Sequence, residues 1–225
     1  MSKPLAIVAG AGPGLGQALV SYLNDNGYTA VGLNRTVPPG TASTTLACDL
    51  TDADETARAI RELVSTHASP KVVIHNPARL IIAPFEETTT EDFEATWRAM
   101  VLSATHLARA VLPGMVGNRG GTFIVSGATA SLRGGANFSA FSSAKAGLRA
   151  LTQSLAREYG PKGIHVAHVI LDGILDTGAS HALHKLDAGR MMLLEDVAAA
   201  YVSLAQQPTS TWTHELDLRP MGESF

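Results

Sequence analysis

The chain has 225 residues, with 17 Lys plus Arg against 20 Asp plus Glu and one cysteine. A net charge of −3 and an aromatic content of 5% exclude the basic, base-stacking surface of a nucleic-acid binder. The single Cys48 excludes an internal disulfide or a cysteine-based zinc site and points to a reducing compartment.

Leu5 to Ala9 is a short apolar run bounded by Pro4 and Gly10, the pattern of a strand buried on both faces. Leu15, Ala18, Leu19, Tyr22 and Leu23 fall on one helical face, and Asn26-Gly27 should stop that helix. A second strand ends at Leu33-Asn34-Arg35. Thr51 or Asp52 opens a helix carrying Ile60, Leu63 and Val64. Val72-Val73-Ile74 is the next strand. A long helix follows from Phe93 to Val111, expected to end before Pro113-Gly114. Phe123 to Val125 is a strand, Phe141 to Leu155 a helix ending at Gly160-Pro161, and Val166 to Leu171 a strand. Val197, Ala200, Tyr201 and Leu204 mark a last helix, and His214 to Leu218 alternates as an edge strand does.

Strand and helix alternate along the whole chain without a linker or repeat. The expected fold is one Rossmann-type α/β domain over residues 1–225: a doubly wound parallel sheet of about seven strands, with helices on both faces. No run approaches the ~18 apolar residues of a membrane span, and the N-terminus lacks a secretory layout, so a cytoplasmic protein is expected. Charged residues make up 16%, below the usual quarter or so, which implies surface hidden in a large core or between subunits.

In such a fold the chemistry lies beyond the C-terminal ends of the strands. There the chain places Gly10-Ala11-Gly12-Pro13-Gly14-Leu15-Gly16, between strand and helix. Glycines let backbone approach a pyrophosphate, and the helix start offers it free N–H groups. At the end of the second strand stand Asn34 and Arg35, where an NAD site usually carries an acid for the ribose hydroxyl. An arginine suits a 2′-phosphate, so NADP(H) is favoured over NAD(H).

With this glycine loop and the Asn34-Arg35 pair, the sequence resembles the short-chain dehydrogenase/reductase family over nearly its whole length. Gly10, Gly14 and Gly16 match the family's TGxxxGxG loop, with Ala9 in place of threonine. Asp49-Leu50 matches the acidic residue that contacts adenine, and Asn76 the second asparagine of the NNAG motif, followed by Pro77 and Ala78. Ala146 to Val166 is close to the family's text, and Gly173 and Thr177 match its PGxxxT segment with Asp172 in place of proline. The resemblance implies that Gly10, Gly14, Leu15, Gly16, Asn34, Arg35, Asp49, Leu50, Asn76, Lys145, Gly173 and Thr177 contact the cofactor. It also implies a homodimer or homotetramer through the third and fourth long helices.

The same resemblance predicts an atypical catalytic set. Lys145 matches the lysine of YxxxK, but Phe141 stands where the tyrosine belongs, Ala128 at the serine and Met100 at the asparagine. Phenylalanine keeps the shape of tyrosine and lacks its proton, a loss of about 10²–10⁴ in rate for a positioned acid. Losing the serine hydroxyl removes a carbonyl-polarising donor worth about 10²–10³ more, if it acts like an oxyanion donor. Lys145 is the candidate catalytic residue, able to hold ribose hydroxyls or exchange a proton if burial lowers its pKa. Ser126, Thr129, Ser142 and Ser143 are nearby hydroxyls, and His75 is expected as a hydrogen-bonded histidine. His181 and His184 have metal-like spacing on a helix but no third ligand in sequence, so no metal site is assigned. His165 and His168 should point to opposite faces of a strand, and Met191-Met192 to core or interface.

Two functions remain open. One is an NADP(H)-dependent oxidoreductase acting on a small carbonyl or alcohol by a modified proton relay. The other is a catalytically silent dinucleotide-binding protein, serving as sensor, scaffold or non-catalytic subunit. Non-redox chemistry on a bound substrate is a thinner third. The segment from Gly178 to Leu193, where the family carries a longer substrate-covering loop, reads as a shortened lid.

Overall fold

The computed structural model describes residues 3–184 and 188–223. Seven parallel strands form one sheet in the order β3-β2-β1-β4-β5-β6-β7. They are β1 (Leu5–Ala9), β2 (Thr29–Asn34), β3 (Thr45–Ala47), β4 (Val72–His75), β5 (Gly121–Ser126), β6 (Ile164–Leu171) and β7 (Glu215–Leu218). The helices are α1 (Leu15–Asp25), α2 (Ala53–Thr66), α3 (Thr90–Trp97), α4 (Ser103–Gly117), α5 (Ser139–Tyr159), α6 (Gly178–Leu183) and α7 (Leu194–Ala205).

Strands β1, β4 and β5 are almost wholly buried because helices cover both sides. On one face α2, α4 and α5 pack over Ile7, Val73, Phe123 and Val125. On the other, α1 and α7 pack over Ala6, Val8, Ile74 and Ile124. The strand order reverses between β1 and β4, so the crevice between them opens where the glycine loop leaves β1.

The local signals act as their chemistry requires. The Asp52 carboxylate accepts from the Glu55 N–H at 2.8 Å and caps α2, which resolves the choice between Thr51 and Asp52. Gly27, at φ +92°, follows the end of α1 at Asn26.

Two elements differ from expectation. The helix expected to end before Pro113 continues to Gly117. Arg109 and Pro113 both lie on its exposed face, so the carbonyl freed by the missing proline N–H meets water, while Leu112 and Met115 hold the last turn in the core. The edge strand β3 carried too short a pattern to be read from sequence. Between α3 and α4 lies a π-turn, Arg98–Leu102, that drives Met100 and Val101 into the core and leaves Arg98 and Leu102 exposed.

The stretch Thr90–Gly117 is the one helical run among the described residues long and apolar enough to cross a bilayer, with a mean hydropathy of 1.3 in its most apolar window. Half of that window is buried: its Met100, Ala104, Leu107 and Val111 belong to the core under the sheet.

Candidate active site

The glycine loop is held in place by backbone packing. Gly10 has φ +84°, and a Cβ on it would fall 2.8 Å from the Pro77 nitrogen. A Cβ on Gly16 would fall 2.2 Å from the Gly10 carbonyl oxygen, so α1 can begin this close to β1 only without a side chain there. The Asn76 amide donates to the Gly10 carbonyl at 3.2 Å and ties the loop to the end of β4.

Two cavities meet over this loop. One, of about 430 Å³, takes in Asn34, Arg35, Cys48, Asp49 and Leu50. The other, of about 400 Å³, takes in Gly14, Leu15, Gly16, Lys145, Gly173 and Thr177. Both include Gly10, Gly12, Asn76 and Ala78, so they form one cleft across the switch point. Every cofactor-contact residue expected from sequence therefore lines it. Asn34 turns its amide to the Thr36 carbonyl at 2.7 Å, leaving its side-chain oxygen toward Gly12. Asp49 accepts from the Thr51 N–H and hydroxyl at 2.9 and 2.8 Å, and these bonds with the Arg35 charge hold its carboxyl below the ordinary range. Thr177 caps α6 by accepting from the Ser180 N–H at 3.0 Å.

The chain's residues fit a dinucleotide. A Cβ on Gly12 would meet nothing nearer than the Asn34 oxygen at 3.8 Å, so backbone lies open to the cleft there, with Arg35 at its end.

Lys145 is the charged group at the inner end. It is 3% exposed, donates to the Ser126 carbonyl at 2.7 Å, and burial pushes its pKa down to about 8. Around it the wall is apolar, formed by Leu80, Ala128, Phe141, Ile174 and Leu175.

Three of the four other hydroxyls are committed elsewhere. Ser126 Oγ turns to the opposite side of the sheet and bonds the Tyr201 hydroxyl at 2.8 Å. Ser143 Oγ donates to the Ala140 carbonyl at 2.9 Å, and Trp97 Nε1 donates to it at 3.4 Å. Ser142 Oγ is buried without a hydrogen-bond partner among the described residues. The Thr129 hydroxyl donates to the Asp172 carboxylate, which Arg219 also holds at 3.0 Å. Met100 is fully buried and does not line the cleft.

His75 is buried in β4, with Nε2 at 2.7 Å from Ser103 Oγ, and burial beside Lys145 pushes its pKa down to about 3. His165 and His168 take opposite faces as expected: His165 bonds the Thr213 carbonyl at 2.8 Å and stacks on Trp212, while the ring of His168 crowds Gly127. His184 is the cap beyond α6, and His181 bonds Asp176 at 2.7 Å. Met191 and Met192 are buried, and residue 192 pairs with Leu175 beside the cleft. Part of the lid segment, residues 185–187, lies outside the described residues; what precedes it is α6.

Gly12, within the glycine run, also lines the cleft, and so do Arg79 and Arg98, which carry no local signal in the sequence. A separate cavity of about 530 Å³, bounded by Met191, Leu193, Arg219 and Met221, lies beside the C-terminal segment and shares no residue with the cleft.

Comparison with known proteins agrees with this architecture. An uncharacterised oxidoreductase of Staphylococcus aureus (strain USA300) is 22% identical over 230 residues, covering 98% of this chain and 99% of the relative. One from Schizosaccharomyces pombe is 29% identical over 221 residues, covering 92% of this chain and 85% of the relative. The crystal structure of a short-chain dehydrogenase from Rhodopseudomonas palustris superposes with a TM-score of 0.82 at 32% identity, covering 98% of this chain and 99% of that one. The S. aureus and R. palustris proteins match this chain nearly end to end, so its compact length is shared. The structure of ElxO with NADP bound has the same fold, with a TM-score of 0.87 at 20% identity and 96% of each chain covered. The short chain dehydrogenase family model matches residues 4–187, well over half of the sequence and all of the cleft up to α6, and the chain belongs to that family.

Proposed function

We propose that the protein is an NADP(H)-dependent oxidoreductase acting on a small, apolar carbonyl or alcohol, with Lys145 as the proton-exchanging group. The observation that carries this reading is the ammonium of Lys145, buried at the inner end of a cleft that a dinucleotide fits. The nicotinamide cofactor supplies or takes up the hydride when bound. The chain's part is to hold it and to manage one proton. Gly12, Gly14, Leu15 and Gly16 present backbone N–H groups, those of Gly10 and Ala11 being bonded to the Leu33 carbonyl, while Arg35 meets a 2′-phosphate, and Thr177 and Gly173 border the far end. Lys145 keeps one hydrogen on the Ser126 carbonyl and has two left for a substrate oxygen or ribose hydroxyls. With a pKa of about 8 it gives up a proton far more readily than an ordinary lysine. The apolar wall of Leu80, Phe141, Ile174 and Leu175 suits a substrate with little polar surface beyond its reacting oxygen.

A second reading is a silent dinucleotide-binding protein. It is favoured by Phe141 and Ala128, which put no hydroxyl on the wall where the family resemblance implies two. The exposed faces of α4 and α5, with the low charge content, support assembly into a homodimer or homotetramer. The family relatives and the reducing-compartment reading of Cys48 support a cytoplasmic location.

The test is NADPH consumption over a panel of small aldehydes and ketones. Turnover that Lys145→Met abolishes supports the first reading. Tight NADPH binding without turnover supports the second, and absence of NADPH binding overturns both.

A further inference from the structure

The adenosine side of the cleft carries more positive charge than one 2′-phosphate-binding arginine accounts for. Three arginines line it, Arg35, Arg79 and Arg98, against one acidic residue, Asp49. This concentration stands out in a chain of net charge −3. One oxygen of Asp49 is already occupied by Thr51. Arg79 lies 3.6 Å from Asp92 in a half-exposed pair, which leaves most of its donors unused. Arg98 makes no ion pair among the described residues.

Their origins differ. Arg35 follows β2 on one side of the cleft. Arg79 follows β4 in the loop that carries Asn76, and Arg98 opens the π-turn after α3. That turn places Met100 in the core while Arg98 stays exposed and lines the cleft together with the small residues Ala95 and Ala99. A long side chain with an apolar stem and a planar head suits both a phosphate and the face of a purine.

We propose that Arg98, supported by Arg79, is a second anion-binding group of the adenosine side, so that a phosphorylated adenosine is held by guanidinium groups from both sides of the cleft. This rests on the dinucleotide-binding reading above and extends it. Arg35 alone can discriminate a 2′-phosphate. Arg98 and Arg79 add affinity for any phosphate-bearing adenosine end and make binding strongly dependent on salt.

The test is calorimetric titration of the full chain with 2′,5′-ADP, with adenosine 5′-monophosphate and with adenosine, at low and moderate salt. The variants are Arg98→Ala, Arg98→Lys and the double change Arg79→Ala with Arg98→Ala. Arg61→Ala, on the exposed face of α2, controls for loss of one positive charge. All replaced side chains are exposed, and melting temperatures verify that the variants fold. The expected result is a loss of about tenfold or more for both phosphorylated ligands in the double variant, as for charge-assisted hydrogen bonds. Adenosine binding and the Arg61→Ala control should be unchanged, Arg98→Lys intermediate, and the salt dependence of the double variant flatter. Wild-type binding of 2′,5′-ADP with the double variant within twofold of it overturns the inference and leaves dinucleotide binding intact. Equal loss for adenosine overturns it in favour of plain packing. A wild-type chain that binds neither 2′,5′-ADP nor NADPH overturns both.

Discussion

The ammonium of Lys145 lies 5.7 Å from the ring centre of Phe141, one helical turn earlier on α5. The lysine thus lies over the Phe141 ring, at the residue where the family resemblance implies a hydroxyl. The contact favours the cation, while burial of the same group disfavours it. Burial is the larger effect, and the ammonium becomes a group that titrates near neutral pH.

The first prediction concerns pH. Carbonyl reduction with Lys145 as the proton donor needs its protonated form, and its pKa is lowered from 10.5 to about 8. Carbonyl reduction should therefore be constant below about pH 7 and fall as pH rises through about 8. A pH–rate profile of wild type against Lys145→Met checks this. An inflection that persists in the variant would show that another group carries the proton.

Restoring the missing hydroxyls should reveal whether the cleft still presents a carbonyl correctly. Phe141 is half-buried and lines the cleft together with Ala128, so both changes add a hydroxyl to residues of that wall. The double change Ala128→Ser with Phe141→Tyr is expected to raise reductase turnover by about 10²-fold or more. Steady-state rates on the same carbonyl panel measure it. A folded, NADPH-binding variant without gain would mean that the substrate wall has changed its task.

Cofactor choice should follow Arg35. Its guanidinium borders the cleft at the end of β2, beside Asn34. Arg35→Ala should weaken NADPH about tenfold or more and leave NADH within about twofold, since only the former carries the extra phosphate. Fluorescence titration with both nucleotides decides it, and equal effects on the two would place Arg35 outside the phosphate site.

Glu215 gives a stability prediction with a defined sign. Arg149 donates to both its carboxylate oxygens, at 2.5 and 2.8 Å, and holds its pKa down from 4.5 to about 2. A lowered carboxyl pKa stabilises the folded state above about pH 4.5, and the contribution fades as pH falls toward about 2. Urea unfolding of wild type should therefore weaken over that range, while Glu215→Gln should start lower and depend less on pH. Parallel curves for the two proteins would remove Glu215 from the acid response.

Gly16→Ala tests the base of the glycine loop. The new methyl group would lie 2.2 Å from the Gly10 carbonyl oxygen, which is backbone and cannot yield cheaply. A destabilisation of about 1–3 kcal/mol is expected, together with loss of nucleotide binding. Thermal melts and NADPH titration report the two effects separately.

The alternation of buried runs with amphipathic stretches made the parallel sheet legible, because a strand covered on both faces must be apolar throughout and its flanking helices on one side. The glycine loop was legible for the same kind of reason: strand, turn and helix are contiguous, so one stretch of chain holds the whole motif. Asp49, Asn76 and Thr177 could be placed near the site because they follow apolar runs in a doubly wound fold, but their individual roles were readable only through resemblance to a family's text. Burial of Lys145 against the Ser126 carbonyl depends on α5 crossing the end of β5, and the binding of Asp172 to Thr129 and Arg219 on three segments meeting there. The continuation of α4 through Pro113 depended on which face met water, and the gathering of Arg35, Arg79 and Arg98 on the order in which β2, β1 and β4 lie side by side. Periodicity reports how each segment is solvated. Which side chains from distant segments share a cavity is set by strand order and crossover direction, and these exist only once the sheet has formed.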